Sequence, residues 1–193
     1  MSRTVTGPDG KPRCNWCAAA PEFFAYHDQE WGYPVADDQR LFEKLCLESF
    51  QSGLSWRTIL AKRENFRNAF HQFDFNRIAR YTERDVNRLL QDEGIVRHRG
   101  KIEATIGNAQ AYLDMGGAEV FADRMWGYVG GAPLVNDFAS LGEVPASTPL
   151  STQISKDLKK AGFRFCGPTI VYAWMQACGL VNDHIVGCPA RQI

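Results

Sequence analysis

The segment Asp38–Gln51 places Leu41, Phe42, Leu45 and Cys46 at i, i+1, i+4 and i+5, the period of an amphipathic helix. The same period recurs along the chain. Thr58–Phe70 reads as a helix, and "DFNRIARY" opens a short one capped by Asp74. "TERDVNRLLQDEG" offers Thr82 as N-cap, with Asp85 at the acidic third position, and ends at Gly94. "GKIEATIGNAQAYLDMGG" carries Ile102, Ile106, Ala109 and Leu113 and stops at a glycine pair. Residues 130–150 break the pattern with Gly130, Gly131, Pro133, Pro145 and Pro149, and read as a connection between lobes. Helical spacing returns in "STPLSTQISKDLKKAG", ending at Gly162, and again from Pro168, suited to a first helical position, to Gly179. No alternating run flanks an Asn-Gly or Asp-Gly turn, so the pattern predicts an all-α fold.

Composition narrows the class. The chain has 193 residues, 45% hydrophobic and 23% charged, with 12 Phe and 5 Trp, values of a globular domain with ample apolar mass. No run of 18 apolar residues exists, which excludes a membrane-spanning helix. "MSRTVTGPDGKPR" lacks an apolar signal core. Residues 1–13 are therefore expected as a flexible tail before one helical domain, 14–193, in a cytoplasmic protein. Formal net charge is zero, so DNA binding would need a local basic patch. Six cysteines without an export signal point to thiols or metal ligands over disulfides.

Four stretches carry candidate chemistry. "KKAGFRFCGPTIVYAWMQACG" reads as helix, glycine-punctuated turn, helix. Gly162 and Gly167 permit close backbone approach, the second helix start can face an anion, and Lys159, Lys160 and Arg164 add positive charge. A helix-hairpin-helix grips the DNA backbone this way; a plain helical hairpin fits the same residues. Glu48 falls roughly 20° outside Leu41 on the apolar stripe, where a carboxylate is costly unless paired or employed. With Tyr26, Trp31 and Trp56 it would make a pocket for a cationic planar ligand. The alternative is a Glu48 paired with Lys44 or Lys62. In "NDHIVGC", His184 and Cys188 would share one face of a helical turn. Together with Cys14 and His27 they would form a Cys2His2 zinc site joining the termini. Cys17, in a CxxC with Cys14, is a rival ligand, and unrelated packing residues are the alternative. "GIVRHRGK" puts Arg97 and His98 in a basic turn, and Lys101 is a candidate Schiff-base nucleophile.

Taken together, "AYHDQEWGYP", "LFEKLCLESFQSGLSW", "DEGIVRHRGKIEATIGNAQAYL", "STPLSTQISKDLKKAGFRFCGPTIVYAWMQACGLVNDH" and "VGC" resemble bacterial 3-methyladenine DNA glycosylase I, collinearly from Cys14 to Cys188. The resemblance implies two helical lobes around a cleft, a helix-hairpin-helix, and one structural zinc on Cys14, His27, His184 and Cys188. It implies that Glu48 recognises the methylated base, with Tyr26, Trp31 and Trp56 around it. Gly53 and Leu54 match the element that fills the gap left by the extruded nucleotide. Phe23 stands where the family often has Tyr, so its ring can stack but cannot donate. Thr169 falls about where bifunctional members of the wider superfamily carry a nucleophilic Lys. Asn182 falls where most carry a catalytic Asp, with Asp183 adjacent. The implied enzyme is a monofunctional, monomeric base-excision hydrolase of the bacterial nucleoid. It would act on double-stranded alkylated DNA, hold the turn at Arg164, Gly167 and Thr169 against it, and release free 3-methyladenine. A DNA-binding module without catalysis, a Lys101-dependent lyase and a zinc-stapled interaction protein are the competing readings.

Overall fold

The computed structural model describes residues 4–118 and 120–192. A short hairpin of β1 (Thr4–Thr6) and β2 (Pro12–Cys14) leads through a 3-10 turn into α1 (Glu22–Gln29). Helices α2 (Asp38–Gln51), α3 (Trp56–Ala69), α4 (Phe75–Ile78), α5 (Glu83–Gln91), α6 (Arg99–Asp114) and α7 (Val120–Gly127) follow. Strand β3 (Leu134–Val135) precedes α8 (Pro149–Lys160) and α9 (Pro168–Ala177), and β4 (Val181–Asn182) runs beside β3 in parallel.

Helix α2 is the hub because its apolar stripe is wide enough to be covered on several sides. Leu41, Phe42, Leu45 and Phe50 are fully buried with Val171, Trp174 and Met175 of α9 and Ile154 and Leu158 of α8 in one core. The Trp174 indole donates to Leu41 O at 3.0 Å, satisfying a polar atom that would otherwise sit unpaired in that core. Side chains close the helix starts: Asp37 accepts from Arg40 N at 2.8 Å, and Thr82 and Asp85 form the expected capping box. Thr148 and Ser151 form another, on either side of the α8 proline Pro149.

Several expectations change. The fold is mainly helical but not all-α. Most of the expected tail belongs to the first hairpin, because Asp9-Gly10 supplies a turn with Gly10 at φ +78° and Arg13 ties Asp9 to Asp28. Residues 130–150 are more than a connection, since β3 joins β4 and residues 141–143 form a 3-10 turn. Residues 182–188 are not helical: Asn182 ends β4, and a turn at Gly187 (φ +94°) brings Cys188 back. Helix α5 stops at Gln91 rather than Gly94, because the Asp92 carboxylate accepts from Gly94 N at 2.8 Å and turns the chain. No helix among the described residues is long and apolar enough to cross a membrane.

Candidate active site and metal cluster

Glu48 sits in the last turn of α2 and is 5% exposed. It lines a cavity of about 420 Å³ with Trp16, Tyr26, Trp31, Gln51 and Trp56, a size that suits a small planar ligand. Helix α9 adds Thr169, Tyr172, Ala173 and Gln176, and the chain from Leu141 to Ala146 forms a further wall. The rings brace one another: Trp16 meets Trp31 edge-on with centroids 5.2 Å apart, and Tyr26 tilts against Trp56 at 5.4 Å. The buried indole N–H groups of Trp16 and Trp56 have no acceptor among the described residues.

Burial raises the Glu48 carboxyl to about 8, against a smaller pull from Lys44 in the other direction. Neither alternative partner is engaged with it. Lys44 pairs with Glu30 at 3.8 Å and lies over the Tyr26 ring, and Lys62 donates to Glu93 O at 2.9 Å. Burial, with the charges of Glu48 and Glu30, raises Tyr26 well above its usual value, so its hydroxyl keeps its proton.

Beside the cavity wall, ligand atoms of Cys14, His27 and Cys188 lie within 4.8 Å of one another, all three residues buried. Asp28 accepts at 2.8 Å from His27 Nδ1, which leaves Nε2 facing Cys188 Sγ at 3.5 Å. His184 stands beside this trio, its ring perpendicular to that of His27 with centroids 4.7 Å apart. Its Nδ1 bonds Asn182 Oδ1 at 2.8 Å, while its Nε2 is buried with no partner among the described residues. Cys17 is also buried but is not part of the trio whose ligand atoms converge. A hydrogen bond from the Cys14 thiol holds Cys188 well below its ordinary value.

The sequence model of the methyladenine glycosylase family matches residues 16–192. The chain belongs to that family. The glycosylase is 56% identical over 177 residues to DNA-3-methyladenine glycosylase 1 of Escherichia coli K12, covering 91% of this chain and 95% of that one. It is 49% identical over 180 residues to DNA-3-methyladenine glycosylase of Haemophilus influenzae, covering 93% and 97%. Its fold superimposes on a crystal structure of 3-methyladenine DNA glycosylase I with a TM-score of 0.88 at 56% identity, covering 92% and 98%. A Tyr-to-Phe variant of such an enzyme, solved in complex with 3-methyladenine, gives 0.85 at 38% identity, covering 89% and 93%.

Within the glycosylase, the structure gathers Glu48, Tyr26, Trp31 and Trp56 around one cavity and brings Thr169 there too. Phe23 is not among the lining residues; it packs edge-on behind Trp16 at 5.8 Å. Gly53 and Leu54 form the turn between the lining residues Gln51 and Trp56, with Leu54 41% exposed. Arg164 and Gly167 lie in the turn between α8 and α9 and are not among the lining residues. Lys101 is occupied: its ammonium donates to Phe50 O and Ser52 O at 2.8 and 2.5 Å. Asn182 holds His184 rather than facing the cavity, and Asp183 accepts from Tyr172, Gln176 and Asn136. Trp16, Tyr172, Ala173 and Gln176 are lining residues that the sequence reading missed. The last three share with Thr169 an i, i+3, i+4, i+7 spacing, which is a legible helix face.

Proposed function

We propose that this glycosylase hydrolyses the N-glycosidic bond of 3-methyladenine in double-stranded alkylated DNA, after extruding the nucleotide into the Glu48 cavity. The observation that carries the reading is a carboxylate 5% exposed amid five aromatic side chains, together with the relative solved with 3-methyladenine bound. A base methylated at N3 is cationic and its glycosidic bond is weakened. When that bond breaks, its electron pair passes to the base, which leaves neutral and needs little help from a general acid. Water adds to the oxocarbenium-like sugar and gives up its proton to solvent. Glu48 is the one carboxylate lining the cavity among the described residues, and no separate base is assigned.

Burial makes Glu48 a selective partner. With its carboxyl near 8, the free site is largely protonated at neutral pH, and ionisation is favoured only when a cation arrives. Neutral adenine brings no charge to offset that desolvation. Leu54, on its exposed turn, fills the space the nucleotide vacates, and the α8–α9 turn with Arg164 and Gly167, together with Thr169 in the first turn of α9, holds the backbone as a helix-hairpin-helix. Unstacking costs a few kcal/mol, less for a damaged base, which adds to selection.

Zinc suits Cys14, His27 and Cys188 with His184 as fourth ligand. The orphaned His184 Nε2 is the donor that a tetrahedral ion would use. The carboxylate and amide on the two Nδ1 atoms orient the rings for it. When bound, the ion cross-links the two ends of the chain.

The test is release of 3-methyladenine from alkylated DNA. The parent releases the base and Glu48→Ala is slower by on the order of 100-fold or more; equal rates would refute the assignment. Borohydride on abasic DNA should trap no adduct, since Lys101 is engaged by two carbonyls.

A further inference from the structure

The two turns assigned to DNA in the proposed function are tied to one helix. Lys101, in the first turn of α6, is 7% exposed and reaches Phe50 O and Ser52 O at the end of α2. These are terminal helix carbonyls, which lack intrahelical donors and carry the negative end of the dipole. The 51–54 turn closes on itself, with Leu54 N donating to Gln51 O at 2.7 Å and Gln51 Nε2 to Leu54 O at 3.0 Å. Those bonds set its shape but not its place in the molecule. Lys101 ties it to α6. Burying an ammonium is costly, and ordinary helix ends need only a glycine or water.

Seven residues along α6, Asn108 is 1% exposed and bonds the other turn in both directions. It accepts from Arg164 N at 2.8 Å and donates to Arg164 O at 3.1 Å. Residues seven apart lie on one helix face, about 10.5 Å along its axis. His98, the cap of α6, stands edge-on to Phe165 of the same turn, with centroids 6.2 Å apart. Neither Lys101 nor Asn108 lines the cavity.

We infer that α6 is a strut holding the Gly53–Leu54 turn and the 163–167 turn in one register on the duplex, with Lys101 and Asn108 as its positioning residues. The inference rests on the DNA roles proposed for those turns. The side chain that fills the gap must enter beside the nucleotide whose backbone is gripped, and a misplacement near 1 Å costs on the order of 100-fold in rate.

The test uses Lys101→Met, Leu54→Ala and the double variant on alkylated duplex DNA, with affinity for free 3-methyladenine read from tryptophan fluorescence. Lys101→Met should keep free-base affinity within about twofold while single-turnover excision falls on the order of 10–100-fold. Because Lys101 acts through Leu54, the double variant should be no more than about threefold slower than the slower single variant. Lys101→Arg, which keeps two donors, should recover most of the rate. Asn108→Ala and Arg164→Ala, read as duplex affinity, should likewise fail to multiply. Multiplying losses, or free-base affinity falling in step with excision, would overturn the strut alone. If Leu54→Ala excised at the parent rate, the gap-filling role itself would fall, and the strut with it.

Discussion

Glu48 combines two properties that seldom coexist: it is buried among rings and it carries an ionisable group. The consequence appears in stability as well as binding. Its carboxyl lies near 8 in the folded chain against an ordinary value of 4.5, so between those values the folded state holds the extra proton. Stability contributed by this group therefore falls as pH rises from about 4.5 to about 8. Glu48→Gln removes the slope. Urea midpoints of the two proteins should diverge in favour of the variant as pH goes from 5 to 8; a constant difference would show that the carboxyl titrates normally. This residue was legible because a carboxylate beside Leu41, Leu45 and a run of aromatics breaks its own pattern. Trp16 was not, because between Cys14 and Cys17 it reads as filler in a CxxC. Only the fold turns it toward Trp31.

Among the elements, the long helices could be read from their period, while the short strands could not. Segments of two or three residues have no alternation to detect, and β3 and β4 exist because segments far apart in the chain are packed together. The 182–188 segment shows the same limit. An i, i+4 His/Cys pair suggests a helix, yet the pull of the opposite terminus makes a turn. Two glycines carry element-scale predictions. Ser52 (φ −50°, ψ 118°) followed by Gly53 (φ +80°) is a type II turn. Gly53 has open space around its Cα, so Gly53→Ala should cost only about 1–2 kcal/mol of left-handed strain. It should also slow excision from duplex more than it weakens free-base binding. Gly179 (φ +70°) is tighter: an added Cβ would lie 2.4 Å from the Tyr33 carbonyl carbon, where Val35 N bonds Cys178 O. Gly179→Ala should cost clearly more than Gly53→Ala in chemical denaturation, by about 2 kcal/mol or more; equal costs would mean the 33–35 crossing can move aside.

At the scale of the molecule, the cavity is assembled from the 3-10 turn after β2, from α1, α2, α3 and α9, and from the 141–146 wall. No contiguous stretch of sequence could display it. Cys14, His27 and Cys188 converge next to Trp16, Tyr26 and Trp31, so the cluster that joins the chain ends also braces the aromatic wall. Metal analysis should find one zinc per chain. Stripping it with a chelator should lower Tm by on the order of 10 °C and weaken free-base binding, with recovery on adding zinc back. Unchanged Tm would leave the cluster as a thiol–imidazole network only. The central claim, that a buried anion selects a cationic purine, is tested most directly by titrating a permanently charged N3,N9-dialkylated adeninium into the parent and Glu48→Gln from pH 6 to 9. Parent affinity should rise by up to about tenfold per pH unit and level off above about 8, while the variant binds weakly with no pH dependence. Parallel curves of similar affinity would contradict the account.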